Sequence, residues 1–135
     1  MLKSFQLRKL IYSDHLVARE VYRDAIESQG HIFYTKEQIQ AWSGLAHLPG
    51  VLDRPLKEGK GWVISSNQVI QAFGLRYPMD RLALLYCRGA ATHQGYGTAL
   101  VNQLESDARK EGQLKLFTEA SFFSYSLFLK RDWTI

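Results

Sequence analysis

Thr92-His93-Gln94-Gly95-Tyr96-Gly97-Thr98-Ala99-Leu100 joins a strand-like run, Leu82 to Cys87, to a helical stripe of Leu100, Val101, Leu104 and Ala108 that stops at Gly112. The first N–H groups of a helix lack internal partners and lie at the positive end of its dipole. A glycine-rich approach to that end lets backbone donors close on a phosphate. Glycines at 95 and 97 remove the Cβ atoms that would stand in the way. The same glycines suit a plain tight turn, and their spacing alone does not choose. A P-loop is excluded, because Gly95-Tyr96-Gly97-Thr98 lacks the Gly-Lys-Ser/Thr ending. A dinucleotide fingerprint needs a third glycine where Leu100 stands. It also opens its fold with a βαβ unit, and antiparallel strands precede this loop.

Upstream, Trp62-Val63-Ile64 and Val69 to Leu75 are β-rich runs split by Ser65-Ser66-Asn67-Gln68, which predicts a hairpin. Thr35-Lys36-Glu37-Gln38 has the form of a capping box, with Tyr34 and Ile39 placed as its hydrophobic staple, and predicts a helix to Gly44. Before it, Ser13 is expected to cap a helix carrying Leu16, Val17, Val21, Tyr22, Ala25 and Ile26 on one side, with Tyr12 stapled to Val17 and a stop at Gln29-Gly30. Phe5 to Arg8 alternates like a strand. The segment from Ala46 to Gly61, with two prolines and three glycines, reads as a surface loop. Downstream, Leu114 to Phe117 predicts a strand parallel to Leu82–Cys87 through a right-handed crossover. Ser121 is placed to cap a last helix carrying Phe122, Tyr125, Leu127 and Phe128. The expected class is α/β, a mixed α+β sheet flanked by helices.

The composition fits one domain. At 135 residues and 46% hydrophobic, a single core buries roughly two-thirds of the unfolded surface without disulfides or a structural metal. Cys87 stands alone and His15, His31, His47 and His93 are scattered, so no metal site is expected. Residues 1–80 hold ten basic and eight acidic side chains and residues 81–135 hold seven and five. The net charge of +4 is therefore dispersed, which argues against nucleic acid as a partner. No apolar run is long enough to span a bilayer or to resemble a signal peptide, so no membrane partner and a cytoplasmic location are expected.

Together these segments resemble the GNAT superfamily, the acetyl-CoA-dependent N-acetyltransferases, from Phe5 to Trp133. Leu85-Tyr86-Cys87 followed by Gly95-Tyr96-Gly97 overlays without a gap on the family's Leu-Tyr-Val strand and Gln/Arg-x-x-Gly-x-Gly/Ala loop. Phe117-Thr118-Glu119-Ala120-Ser121 and Leu127 to Trp133 resemble its Ala-Ser segment and its aromatic-pair, Lys, Gly-Phe ending. Tyr34 to Trp42 is similar to the second-helix start of one bacterial branch. Thr92, Arg88-Gly89-Ala90 and Asp132 depart from the usual Gln/Arg, His-Pro-Asp and Gly.

The resemblance implies a GNAT-like acyl-CoA N-acyltransferase fold and acetyl-CoA as acetyl donor. A pantetheine arm would run along Leu85, Tyr86 and Cys87, with backbone donors near Tyr86 and Cys87 facing the thioester carbonyl. The pyrophosphate would rest on the N–H groups of His93, Gln94, Gly95, Tyr96, Gly97 and Thr98, after Thr92, with Arg88 as a nearby cation. An amine, on a small molecule or a protein, would attack the acetyl carbon directly. Glu119 is then the carboxylate expected as base. Tyr125 is the tyrosine expected as acid, because the usual position holds Phe128. His31, Phe33, Tyr34 and Trp42 border the expected acceptor site, although capping and core packing account for Tyr34 and Trp42 equally well. Cys87, with no activating His at a readable spacing, reads as a packed strand residue.

Family members normally continue past the Trp133 region with two further strands, and this sequence stops at Ile135. The expectation is thus a fold lacking its last one or two strands, with the edge of 114–119 unpaired. A second copy would cover that edge in a homodimer, or activity would be impaired. The rival to an enzyme is a CoA-binding or interaction protein of the same fold without turnover.

Overall fold

The computed structural model describes residues 5–48, 50–119 and 125–134, the side chains of His47, Tyr125 and Ser126 excepted. Four strands, β1 (Gln6–Lys9), β2 (Lys60–Ser66), β3 (Val69–Arg76) and β4 (Leu82–Cys87), form a sheet in the order β1-β2-β3-β4, antiparallel throughout. The β2–β3 hairpin turns on Asn67 and Gln68, both at positive φ (52° and 66°). Two such residues match the right-handed twist of the strands they join.

Helices cover both faces. Successive strand residues point to opposite sides, so Val63, Phe73 and Leu75 pack on α1 (His15–Gln29), against Val21, Tyr22 and Ile26. Ile64, Ala72 and Leu82 face α4 (Tyr96–Lys110), whose expected stripe of Leu100, Val101, Leu104 and Ala108 is fully buried. Gly74 lets α4 approach closely: a Cβ there would stand 3.2 Å from Leu104 Cδ1. The Trp62 indole N–H donates to Asp107 at 2.6 Å and ties β2 to the same helix.

The Thr35 capping box forms as expected at the start of α2 (Lys36–Gly44). Gln38 N donates to Thr35 Oγ1 at 3.1 Å, and Thr35 N to Gln38 Oε1 at 2.9 Å. Other expectations need correction. Tyr12–Asp14 is a 3-10 turn, and α1 begins only at His15. The residue that secures this start is not Ser13 but Asp14, which accepts from Ile11 N at 2.9 Å and from Arg8 Nη1 and Nη2. Those bonds hold the Asp14 carboxyl below its usual range, with the Arg8 hydrogen bond the largest cause. Tyr12 and Leu16 are exposed rather than packed, and Tyr12 rests on His15. The loop read from Ala46 to Gly61 contains a helix, α3 (Asp53–Glu58). Pro55 falls in its first turn, where a missing N–H costs nothing, and Leu56 is buried.

After Gly112, at φ 83°, the segment read as a strand makes one parallel bridge, Arg81 to Phe117. Phe117 N donates to Asp80 O, and Leu82 N to Phe117 O, each at 2.8 Å. No ladder follows among the described residues. The sheet is therefore antiparallel with a single parallel contact, rather than a full mixed sheet. Leu114 (97% exposed) and Phe117 (56%) are left largely uncovered by the described residues. Ser121 and Phe122 lie outside the described residues. The last helix, α5 (Tyr125–Lys130), buries Phe128 against Trp133.

Arg76, at the end of β3, is fully buried. Its guanidinium donates to Met79 O at 2.6 Å and pairs with Glu111, which Lys60 also approaches at 3.5 Å. This cluster ties the end of β3 to the segment following α4.

Candidate functional site

A cavity of about 360 Å³ opens where the end of β4 meets the start of α4. Leu85, Tyr86 and Cys87 form one wall. Thr92, His93, Gln94, Gly95, Tyr96, Gly97 and Thr98 form the floor. The sequence decides this local path. His93 (φ 62°) and Gly95 (φ 81°) take left-handed backbone conformations, which turn the chain from the strand into the helix. The first backbone bond of α4 is Ala99 N to Gly95 O at 3.0 Å. The N–H groups from His93 to Thr98 thus have no intramolecular partner among the described residues. They form a positive concavity at the end of a fifteen-residue helix. Gly97 also permits α5 to close the side: a Cβ there would meet Leu127 Cδ2 at 3.2 Å.

The strand wall has its own chemistry. β4 pairs with β3 on one edge, while on the other only Arg81 bridges to another segment among the described residues. The backbone from Leu85 to Cys87 therefore faces the cavity with hydrogen-bonding capacity to spare. The Gln29 carboxamide donates to Cys87 O at 3.2 Å and brings the end of α1 to the rim. The Cys87 thiol itself is pushed up to about 11, by burial first and by Asp24 second. At neutral pH it stays a protonated packing group. Tyr86 turns its ring to the opposite face of the sheet, edge-on to Tyr22 at 4.8 Å, and burial raises its hydroxyl.

The remaining candidates separate. Arg88 does not line the cavity. Its Nε donates to Ile70 O at 2.9 Å and its Nη2 lies 3.7 Å from Glu20. Glu119 is 89% exposed and 3.7 Å from Arg81, at the start of β4, whereas Tyr86 and Cys87 are at its end. Five residue steps of extended chain lead from Arg81 to Tyr86, roughly 16 Å, and Glu119 is not among the residues that line the cavity. The Tyr125 side chain lies outside the described residues. His31 and Tyr34 line a second hollow of about 540 Å³ with Glu27, Lys36, Ile39 and Gln40. Phe33 is half exposed outside it. Trp42 packs edge-on against Tyr34 at 5.1 Å, and its carbonyl accepts from Tyr22.

Sequence reasoning missed Ala25, Gln29, Leu127 and Lys130 on the cavity wall. Gln29 lies one helical turn after Ala25, so both project from the same side of α1. Lys130 follows Leu127 by three positions on α5 in the same way. The signal was helical phase, which marks a neighbour only once the opposing surface is known.

No protein-family model matches the chain, and no curated protein matches it. Solved structures do. A GCN5-related N-acetyltransferase from Rhodopseudomonas palustris superposes with a TM-score of 0.89 at 24% identity, over 97% of this chain and 82% of that one. The PaiA N-acetyltransferase of Thermoplasma acidophilum, solved in complex with coenzyme A, gives 0.71 at 19% identity, over 95% and 88%. An aminoglycoside acetyltransferase from an uncultured soil metagenomic sample gives 0.59 at 14%, over 95% and 86%. The chain has the GCN5-related N-acetyltransferase fold.

Proposed function

We propose that this chain, having that fold, is an acetyltransferase that moves acetyl from acetyl-CoA to a primary amine of a small molecule or protein by direct attack. The observation that carries this reading is the cavity between the open edge of β4 and the unpartnered N–H groups of His93 to Thr98. The donor set fits the proposed ligand. Main-chain N–H groups at a helix start suit a pyrophosphate, and free strand backbone suits the amides of a pantetheine arm. When bound, acetyl-CoA supplies the activated acetyl group. Backbone donors near Tyr86 and Cys87 would meet the charge developing on its carbonyl oxygen. His31 and Tyr34, in the second hollow, are the side chains we assign to the acceptor. Glu119 as base and Tyr125 as acid stay proposals, and the exposed position of Glu119 requires that any proton transfer to it run through water.

A thermal-shift titration tests the cofactor. Acetyl-CoA or CoA at a hundred times its Kd should stabilise the fold by about 2.7 kcal/mol, and ATP by far less. No shift with either CoA species at millimolar concentration rejects the reading. One observation favours a second reading, a CoA-binding protein without turnover: Phe128, where the family resemblance implies a tyrosine, is buried against Trp133 and has no hydroxyl to protonate a thiolate. Stabilisation by CoA with no thiol released from acetyl-CoA across an amine panel would select it.

We place the protein in the cytoplasm; no helix among the described residues is long and apolar enough to cross a membrane. We also propose a homodimer in which a second copy covers the 114–117 segment. Its exposed Leu114 and Phe117 and unextended bridge support that surface. Leu114→Lys should then halve the mass seen by sedimentation equilibrium. A wild type that stays monomeric at high micromolar concentration rejects the dimer.

A further inference from the structure

The cavity beside the α4 start contains no carboxylate, and Lys130 is its one lysine or arginine among the described residues. Lys130 comes from α5, whose Leu127 stands against Gly97. A side chain three positions after Leu127 on the same helix lies on the same side, toward the His93–Thr98 floor. Its ammonium has no acidic partner among the described residues, although ten ion pairs occupy charges elsewhere. Arg88, the cation that sequence alone suggested, is spent on Ile70 O and Glu20. The floor offers N–H dipoles and, apart from the His93 imidazole, no ionisable side chain, while a diphosphate carries two negative charges.

We infer that Lys130 is the specificity residue for the diphosphate of the CoA ligand, supplying from α5 the formal positive charge that the backbone floor lacks. The inference rests on the CoA reading of the cavity and names a side chain which that reading did not require. Lys130 leaves the 3′-phosphate unrecognised, because its place in the cavity is beside the same floor that takes the diphosphate.

Calorimetric titration of the full chain with CoA, dephospho-CoA and pantetheine, at fixed ionic strength, tests it. Lys130→Ala should raise Kd about tenfold for CoA and equally for dephospho-CoA, which keeps the diphosphate and lacks the 3′-phosphate. Pantetheine, without phosphate, should bind both proteins alike. Lys130→Arg should recover most of the loss, and the salt dependence of CoA binding should flatten in Lys130→Ala. Lys130 is exposed, so the variant should fold, and an unchanged melting temperature checks that. Unchanged CoA affinity in Lys130→Ala overturns the inference while leaving the CoA reading standing. A penalty that vanishes with dephospho-CoA overturns it by moving the lysine to the 3′-phosphate. An equal penalty on pantetheine overturns it by making the effect one of packing. A wild-type chain that binds neither CoA nor dephospho-CoA removes the CoA reading and the inference together.

Discussion

Thr98→Asp is expected to weaken CoA binding about a hundredfold, roughly 2.7 kcal/mol, without weakening the fold. Thr98 is exposed in the first turn of α4 and lines the cavity floor. A carboxylate in that turn complements the helix dipole, so the melting temperature should hold or rise slightly. Toward a diphosphate the same charge is repulsive. Two unit charges ~4 Å apart interact by about 4 kcal/mol at an effective dielectric near 20, and solvent access reduces that to the value expected. Thr98→Asn, similar in size and neutral, should stay within about threefold of wild type. Calorimetry with CoA and pantetheine decides it. A Thr98→Asp variant that binds CoA normally would mean no phosphate sits at this helix start.

The largest stability effect is expected at Glu111. Arg76 is fully buried, and Glu111 is its one carboxylate partner among the described residues. Glu111→Gln leaves that charge buried without a counter-charge, with Met79 O and the neutral carboxamide oxygen as acceptors. Removing one partner of a buried pair typically costs about 3 kcal/mol, or a fall in Tm of roughly 10 °C for a chain of this size. Arg76→Met with Glu111→Gln removes both charges and should recover most of the loss, since an apolar chain of similar volume avoids the desolvation cost. A single variant as stable as wild type would show that the pair contributes little. The pH dependence has a definite sign. The Arg76 hydrogen bond, the largest cause, holds the Glu111 carboxyl below its ordinary 4.5 in the folded protein. Its stabilisation is therefore fully present above pH 4.5 and is lost as pH falls through the lower folded value. Wild type should lose Tm faster than Glu111→Gln on acidification below 4.5.

What the sequence disclosed was whatever a short window determines. The Thr35 capping box, the α4 stripe and the Asn67-Gln68 hairpin each depend on residues within a few positions of one another, and each formed. The glycine loop was legible for the same reason, since the need for backbone approach is written in Gly95 and Gly97 themselves. Long-range competition hid the rest. Ser13 lost the α1 start because Arg8, on β1, fixes Asp14 instead. The α3 helix went unread because Pro55 suggests a break unless the first turn is known to begin at Asp53. Leu114 to Phe117 has strand composition, but a strand exists only where a neighbour supplies a ladder, and one bridge is what β4 supplies. Glu119 ends the segment read as a strand beside the cofactor, yet its carboxylate is exposed and lies beside Arg81. Lys130 matched the Lys of the ending that carries the resemblance, but its place beside the cavity depends on the floor that α5 meets.

The six N–H groups from His93 to Thr98 belong to the main chain, and every residue except proline possesses one. Ligand contact of this kind is indifferent to spelling: Thr92, His93 or Gln94 can be exchanged for other side chains while the donors keep their places, provided the backbone keeps its path. Lineages can then drift in text while their hardware stays constant. For such proteins the torsion angles of a single turn are a more durable signature than any string of letters.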